Sequence, residues 1–165
     1  MRIINFVLRR LFLFIIGGSL YCVFELIFRQ WTHWTMFILV GTLSVLFIDT
    51  PNNIWGFDLD YTIQVAISTV ACTVGEGITG LIVNPKYHVW DYSTLPGTFF
   101  WGQCNIFFVF FWILLIGFIG IPLCDAYNYY FGRIEPCPYY KIGGKTIFKF
   151  KERKKTMLNE KTDDS

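Results

Sequence analysis

Two glutamates lie inside strongly apolar stretches of this sequence, which makes them candidates for chemistry. Glu25 belongs to the stretch 11–28, and Glu76 belongs to the stretch 62–83. A carboxylate placed in hydrocarbon without a partner costs several kcal/mol, so such residues usually pair with another group or take part in ion or proton movement. Both glutamates are therefore candidate functional residues.

Further polar residues occur at spacings that bring them toward these glutamates. Tyr21, Glu25 and Arg29 are each four residues apart, so they share one face of a helix. A polar run, residues 90–93, follows the stretch that carries Glu76. We predict a substrate-binding or polar cluster near one membrane face, formed by Tyr21, Glu25, Arg29, His33, Glu76, Asn84, Trp90, Asp91, Tyr92, Ser93 and Gln103.

Each of these groups also has an interpretation that involves no chemistry. Glu25 and Arg29 are then an ion pair at the membrane boundary, with the arginine reaching the lipid headgroups. Glu76 is a neutral carboxyl that hydrogen-bonds to a neighbouring helix. His33 belongs to an interfacial aromatic belt, and residues 90–93 are a belt aromatic followed by a turn. The sequence leaves both interpretations open.

The composition of the chain is typical of a membrane protein. Hydrophobic residues make up 54% of the 165 positions, charged residues make up only 16%, and the mean hydropathy is +0.46. These values lie outside the usual range of soluble domains. The basic residues behind the pI near 8.3 are concentrated in segments 2–10 and 141–161, which flank apolar stretches. A nucleic-acid partner is therefore not expected.

Four apolar segments predict an all-α fold, a polytopic transmembrane helical bundle. The predicted spans are residues 11–28, 34–48, 62–83 and 102–123. A tyrosine-rich interfacial segment at 125–140 is expected to complete a transmembrane domain of residues 1–140. Residues 141–165 are expected to form a mobile, basic cytoplasmic tail.

The basic residues also predict the orientation. The positive-inside rule places both termini in the cytoplasm, although Arg29 and Lys86 then fall on the outer side. The inner loop 49–61 contains acidic residues and no base, but acidic residues contribute little to this rule. A secretory signal peptide is the alternative for the first stretch. No small-residue cleavage site closes that stretch, so we expect a retained signal anchor.

Two blocks of residues are similar to those of a known family. The first block comprises Tyr21, Glu25, Arg29 and the run Thr-His-Trp-Thr-Met-Phe at 32–37. The second block comprises Gln64, Glu76, Gly80, residues 83–84 and 89–93, Pro96, residues 102–104, Trp112, Asp125, residues 130–132, Glu135 and Pro136. From about Gly17 to Tyr140 the chain resembles small bacterial membrane proteins classed as ABC-transporter type IV permeases. It departs from them at Thr35, where serine is usual, at Gly77, where a bulky residue is usual, and in the loop 49–61.

The resemblance implies a transport-related subunit in the bacterial plasma membrane. The chain has no Gly-x4-Gly-Lys-Ser/Thr motif, so a separate ATPase subunit would have to hydrolyse ATP. Four short helices enclose little volume, so a substrate path would need a homo-oligomer or another partner in the lipid bilayer. Two alternatives stay open: a membrane enzyme that acts on a lipid or wall precursor by acid/base chemistry, and an accessory or assembly protein.

The sequence indicates no cofactor and no metal centre. His33 and His88 are the two histidines, and no His-x-x-His, Cys-x-x-Cys or Glu-x-x-His spacing occurs. Ser93 lacks a nucleophile motif, so no catalytic residue is identified. Four of the five cysteines lie in or beside apolar segments, and all five are expected to be free thiols.

Overall fold

Four long helices dominate the structure. The computed structural model describes residues 2–132 and 136–153, which are mostly helical. The four helices long and apolar enough to cross a membrane are α1 (Arg2–Arg29), α2 (Trp34–Trp55), α3 (Tyr61–Val83) and α4 (Ile106–Tyr130). This confirms the prediction of four apolar helices and indicates a multi-pass membrane protein.

Three of the helices extend beyond the predicted spans. The first begins well before residue 11, and Arg9 and Arg10 are helical residues whose side chains reach Asp49 in α2. The second continues to Trp55 and the fourth to Tyr130. The apolar pattern missed these turns because polar side chains from different helices satisfy one another there, which hydropathy does not detect.

Two of the helices contain one wide turn followed by a proline. Residues 44–48 of α2 and residues 116–120 of α4 are π-helical, and Pro51 and Pro122 follow them. Proline lacks a backbone N–H and its ring clashes with the preceding turn, so the helix widens to keep its carbonyls satisfied. The two wide turns face each other, and a Cβ on Gly120 would lie 3.3 Å from Ile48.

Helices α1 and α2 pack closely because small residues line their contact. A Cβ on Gly18 would lie 2.5 Å from the carbonyl oxygen of Phe37, and one on Gly41 would lie 2.8 Å from that of Phe14. Glycine allows backbones of spanning helices to approach in this way. The approach holds the far end of α1, with Glu25 and Arg29, beside the rest of the bundle.

The prediction of an all-α fold is wrong in two places, where antiparallel hairpins form. Strands β1 (Thr98–Phe99) and β2 (Cys104–Asn105) pair just before α4, so α4 begins at residue 106 and not at 102. Strands β3 (Tyr139–Ile142) and β4 (Lys145–Lys149) form the second hairpin.

The second hairpin changes the expected organisation of the C-terminal part. The expected interfacial segment 125–140 is divided between the end of α4 and β3, and the expected mobile tail begins with structured residues 141–149. Gly143 and Gly144 have φ of 57° and 78°, a turn conformation that glycine adopts without strain. Glu135 and residues 154–165 lie outside the described residues.

Exposed polar contacts attach the second hairpin to the loop before α3. Lys141 pairs with Asp58, Tyr139 donates to Asp58 at 2.9 Å, and the Gly143 amide donates to Asp60 at 2.7 Å. The hydrogen bonds from Lys141 and then from Tyr139 lower the pKa of Asp58. The hairpin therefore lies against the end of the bundle that carries the start of α1 and the end of α4.

Candidate functional site

Glu76 lies in the interior of the bundle and receives two hydrogen bonds from neutral donors. It is 2% exposed. The indole N–H of Trp112 in α4 donates to Oε2 at 3.0 Å, and the hydroxyl of Tyr92 donates to Oε1 at 3.3 Å. Among the described residues no lysine, arginine or histidine forms an ion pair with this carboxyl. Two polar contacts thus hold a buried acid without a counter-charge.

Glu25 lies nearby at the end of α1 and has a different kind of partner. Arg29 donates to its Oε1 at 2.9 Å, and Thr32 donates to its Oε2 at 2.6 Å. Arg29 also donates to the carbonyl oxygen of Val89 at 3.0 Å. The Glu25 and Arg29 pair therefore connects the end of α1 to the loop between α3 and α4.

Tyr21 is buried beside Trp112. Its ring stacks on the Trp112 ring, with centroids 5.3 Å apart and planes inclined by 10°. We call Tyr21, Glu25, Arg29, Glu76, Tyr92 and Trp112 the Glu76 cluster.

Tyr92 is a hydrogen-bond donor at this site for electrostatic reasons. Burial, and then the charge of Glu76, raise the pKa of the Tyr92 hydroxyl. The phenol therefore keeps its proton and donates it to the carboxyl. Its ring also stacks on Phe108, with centroids 4.4 Å apart, which orients the hydroxyl toward Glu76.

Amide side chains fix the loop that carries Tyr92, residues 84–105. Asn84 donates to the Trp90 carbonyl at 2.6 Å and accepts from the Val89 amide at 2.8 Å. The side-chain amide of Gln103 donates to the backbone carbonyl of Asn84 at 3.1 Å. The backbone carbonyl of Gln103 accepts a hydrogen bond from the indole N–H of Trp90 at 3.0 Å. We call Asn84, Trp90 and Gln103 the loop lock, since together they hold Tyr92 in position.

Glycines of α3 make room for this loop. A Cβ on Gly77 would lie 2.6 Å from the Phe100 ring, and one on Gly80 would overlap the Gln103 amide. Phe100 and Trp101 have φ of 54° and 52°, uncommon values for bulky residues. Glycine at position 77 thus accommodates the ring that this tight turn places against α3.

Three residues of the predicted cluster lie elsewhere. His33 caps the start of α2, where its Nδ1 accepts from the Thr35 amide at 3.4 Å. Asp91 and Ser93 are exposed, and the Asp91 carboxylate accepts from the Ser93 amide at 2.8 Å. The hydrogen bonds from Ser93 lower the pKa of Asp91. The structure brings none of these three side chains to Glu76. Of the predicted residues Tyr92 contacts Glu76 directly, Glu25 and Arg29 pair with each other beside it, and Asn84, Trp90 and Gln103 contact one another and the loop backbone.

Sequence reasoning missed Trp112, which donates to Glu76, and Thr32, which donates to Glu25. Trp112 lies within the Phe-rich apolar run 106–115, where a tryptophan looks like one more lipid-facing aromatic. Its 2% exposure distinguishes it from that run, because a buried indole N–H needs an acceptor. Hydropathy and helical spacing gave no signal that separates Trp112 from its aromatic neighbours.

A second buried polar network, which the sequence analysis did not predict, lies at the opposite end of α1. Arg9 donates to Asn128 at 2.8 Å and lies 3.7 Å from Asp49, and Arg10 lies 3.8 Å from Asp49. Asn52 donates to Asp125 at 2.7 Å. Sixteen residues of α1, about 24 Å of helix, separate Arg9 from Glu25, so the two networks lie near opposite ends of the bundle.

The interior next to the Glu76 cluster is narrow. An apolar cleft between α1, α2 and α4 extends from Tyr21 and Trp112 to Cys124, and its volume is about 50 Å³. That is room for one or two water molecules and no more. Among the described residues there is also no group of His, Cys, Asp and Glu side chains placed to hold a metal ion. The site is thus a buried acid whose partners are neutral hydrogen-bond donors.

Comparisons with known proteins give no relative for this chain. No protein-family model, no curated protein and no solved structure matches it.

Proposed function

We propose that this chain is a transport-related subunit of the bacterial plasma membrane, with Glu76 as the central residue of a polar site beneath the outer face. The observation that carries the proposal is the buried Glu76 carboxyl, which receives hydrogen bonds from Trp112 and Tyr92 and has no ion pair within the described part of the chain. An ionisable group in a spanning helix is expensive, and such groups commonly mark ion, proton or substrate pathways.

The orientation is part of the proposal. Both termini lie in the cytoplasm, since the basic residues are concentrated at the two ends of the sequence. Glu25 and Arg29 then lie at the outer end of α1, and the loop lock lies on the same side. A substrate or ion from outside reaches Glu76 past the Arg29 side chain, which is 36% exposed.

A complete transporter needs additional subunits. The 50 Å³ cleft within one chain is too small for a substrate path, so the path forms between copies of the chain or with another membrane protein. Energy comes from a separate ATPase subunit, in line with the resemblance to ABC permeases and the absence of a nucleotide-binding motif from this sequence.

One observation supports an accessory or assembly protein as the second candidate. The loop lock is closed on itself, because Asn84 and Gln103 hydrogen-bond to each other and to the backbone of Val89 and Trp90. A satisfied buried network of this kind fixes one arrangement of helices and loop. An accessory protein needs that rigidity, and it needs no exchangeable proton on Glu76.

The test combines purification with one isosteric variant. The tagged protein is purified from native membranes in mild detergent, and any stoichiometric ATPase subunit is identified and assayed for ATP hydrolysis in proteoliposomes. Glu76→Gln keeps an acceptor for Trp112 and a polar partner for Tyr92 while removing the ionisable group, and exposed Asp91→Asn is the matched control.

The two candidates predict different results. For a transport subunit, an ATPase copurifies, Glu76→Gln lowers its coupled ATP hydrolysis at least about tenfold, and Asp91→Asn does not. For an accessory protein, no ATPase is bound and Glu76→Gln supports the same cell growth as the wild type. That second pair of results would rule out the transport proposal.

A further inference from the structure

The second hairpin presents a surface that is both apolar and basic. All five residues of β4 are exposed, and two of them, Ile147 and Phe148, are large apolar residues that are 57% and 51% exposed. Lys145 and Lys149 lie at the two ends of the strand. Residues 139–153 include five basic residues and one acidic residue, so this segment has a net charge of +4.

An irregularity in the strand pairing leaves Ile147 outside the hairpin ladder. Phe148 lies opposite Tyr140 and Thr146 lies opposite Lys141, so the residue between them in β4 has no partner in β3. Such a bulge changes the direction of the side chain at the extra residue. Ile147 is therefore available for a contact outside the hairpin.

The contacts of the hairpin hold it at the ends of the spanning helices. Tyr140 is 4% exposed, its hydroxyl donates to Asp125 at 2.9 Å, and its ring centroid lies 4.3 Å from that of Tyr61, the first residue of α3. Helices α2, α3 and α4 are 22, 23 and 25 residues long. They extend about 33–38 Å, whereas the hydrocarbon core of a bilayer is about 30 Å thick. The helix ends, and the hairpin beside them, therefore reach the headgroup layer.

Exposed aromatic residues occur at the same end of the helices. Trp55 at the end of α2 is 54% exposed, and Phe131 directly after α4 is 77% exposed. Aromatic side chains are common where lipid headgroups meet acyl chains. The end of the bundle that carries β4 thus exposes apolar side chains at the depth of the headgroups.

Part of the positive charge on the hairpin has no counter-charge within the protein. Lys141 pairs with Asp58, and Lys149 pairs with Glu152. Lys145 and Lys151 are exposed and form no ion pair with any residue in 2–132 or 136–153. A partner that fits this surface carries negative charge next to an apolar layer.

We propose that β4 docks on the anionic lipid surface of the bilayer in which the chain is embedded. The lysines contact anionic headgroups, while Ile147 and Phe148 enter the boundary with the acyl chains. A strand from another chain fits less well, because lysines at both ends of an exposed edge strand oppose edge-to-edge pairing. The inference rests on the membrane assignment and uses neither the transport role nor the orientation.

A spin label at Ile147→Cys measures the depth of the strand. The full chain also carries Cys22→Ala and Cys137→Ala, which remove the two native cysteines that are not buried. It is placed in nanodiscs of phosphatidylcholine, with or without phosphatidylglycerol. Power saturation compares collisions with O₂, which concentrates among acyl chains, and with a water-soluble nickel chelate. We expect O₂ to dominate with phosphatidylglycerol, and the chelate to dominate without it or in about 1 M salt, which screens charges beyond about 3 Å.

Two charge variants test the part played by the lysines. Lys145→Gln combined with Lys151→Gln removes the two lysines that form no ion pair. Each lysine near an anionic surface favours binding about fivefold, so the double variant should lower the ratio of inserted to free label about 25-fold. Lys86→Gln, exposed in the loop at the other end of the molecule, should leave the ratio unchanged. Equal insertion in the wild type and the double variant overturns the assignment to anionic lipid.

Three other results would overturn the proposal. One is a label that is equally exposed to water in both kinds of nanodisc. Another is dipolar broadening in nanodiscs that hold two chains, which assigns β4 to a second copy. If Ile147→Cys alters the hairpin, hydrogen exchange of residues 145–149 in the unlabelled wild type replaces the label. Slower exchange with phosphatidylglycerol supports the proposal, and an equal rate in both lipids overturns it.

The test is independent of the proposed transport role. Nanodiscs present the same lipids on both faces, and the measurement uses neither an ATPase nor the ionisation of Glu76. Failure of β4 to dock therefore leaves the transport proposal unchanged, and the absence of an ATPase leaves the docking result unchanged.

Discussion

Trp112 donates its indole N–H to the carboxyl of Glu76 at 3.0 Å, which joins α4 to α3 in the interior of the bundle. The same indole stacks on Tyr21 of α1, so one side chain contacts two other helices. In a bilayer, where apolar contacts between helices give little driving force, such hydrogen bonds help to select one packing arrangement. Trp112 thus holds Glu76 in position and also helps to pack α1, α3 and α4 together.

Removing the Trp112 donor is the most direct test of this relationship. Trp112→Phe keeps an aromatic ring on Tyr21 but leaves Glu76 with only the Tyr92 hydroxyl as a donor. We expect a loss of about 1–3 kcal/mol in the free energy of unfolding, measured by thermal or denaturant unfolding in detergent micelles. Trp101→Phe, at a residue that is 74% exposed, should change it little. Equal losses in the two variants would contradict the role given to Trp112.

The close contact between α3 and the loop lock predicts a position-specific effect of one methyl group. Gly80→Ala places a Cβ where the Gln103 amide now packs, so it should cost about 1–3 kcal/mol of stability. Gly117→Ala is the matched control, since its Cβ would lie 3.5 Å from Val65, an ordinary contact distance. The difference between the two melting temperatures measures the effect. A tolerated Gly80→Ala would show that the loop rearranges freely.

Cys104 reports on the loop lock through its reactivity. The thiol is 1% exposed, and burial, followed by the charge of Glu76, raises its pKa to about 12. A thiol of that kind reacts slowly at pH 7–8, so we expect no alkylation of Cys104 in the folded wild type. Asn84→Ala should expose it and raise its labelling at least about tenfold, as mapped by peptide mass spectrometry, and exposed Ser93→Ala should not. Fast labelling of wild-type Cys104 would argue against a closed loop.

Acid should detach the second hairpin from the bundle. Lys141 lowers the pKa of Asp58 below its ordinary 3.8, so the ionised acid stabilises the attachment fully above that value. The attachment should weaken as the pH falls through the lowered folded value. Spin-label mobility at Lys145→Cys should therefore rise only under strongly acidic conditions.

The control for the hairpin removes both acids. Asp58→Asn combined with Asp60→Asn weakens the contacts to Lys141 and to the Gly143 amide. This variant should show high label mobility at neutral pH and little further change in acid. A wild-type pH response in the double variant would show that other groups hold the hairpin.

The proposed orientation predicts which surface each loop exposes. Ser93→Cys and Lys145→Cys both place a thiol at an exposed position, at opposite ends of the bundle. In intact cells, a membrane-impermeant maleimide should label the first and not the second, and permeabilised cells should show both. The reverse labelling pattern would show that the chain has the opposite orientation in the membrane. It would leave the contacts within the Glu76 cluster and within the Arg9 and Asp49 network unchanged.

The sequence by itself determined the four helices that are long and apolar enough to cross a membrane, with approximate bounds. The backbone hydrogen bonds of each helix are formed within that helix, so its formation depends on nearby residues only. A run of apolar residues is therefore enough to predict it. The four-residue spacing of Tyr21, Glu25 and Arg29 is likewise a local property, and the structure keeps the Glu25 and Arg29 pair. The orientation and the transport role remain predictions from charge distribution and resemblance.

Only the tertiary structure decided which polar groups meet. Trp112 is adjacent to Glu76 because α4 folds back on α3. Tyr92 reaches Glu76, whereas the preceding residue, Asp91, is exposed and accepts from the Ser93 amide. The partners of Arg9 and of Asp125 come from other helices and from the hairpin, at large separations along the chain. Hydrogen bonds of this kind depend on side-chain direction across three or more elements, which the period of a single helix does not specify.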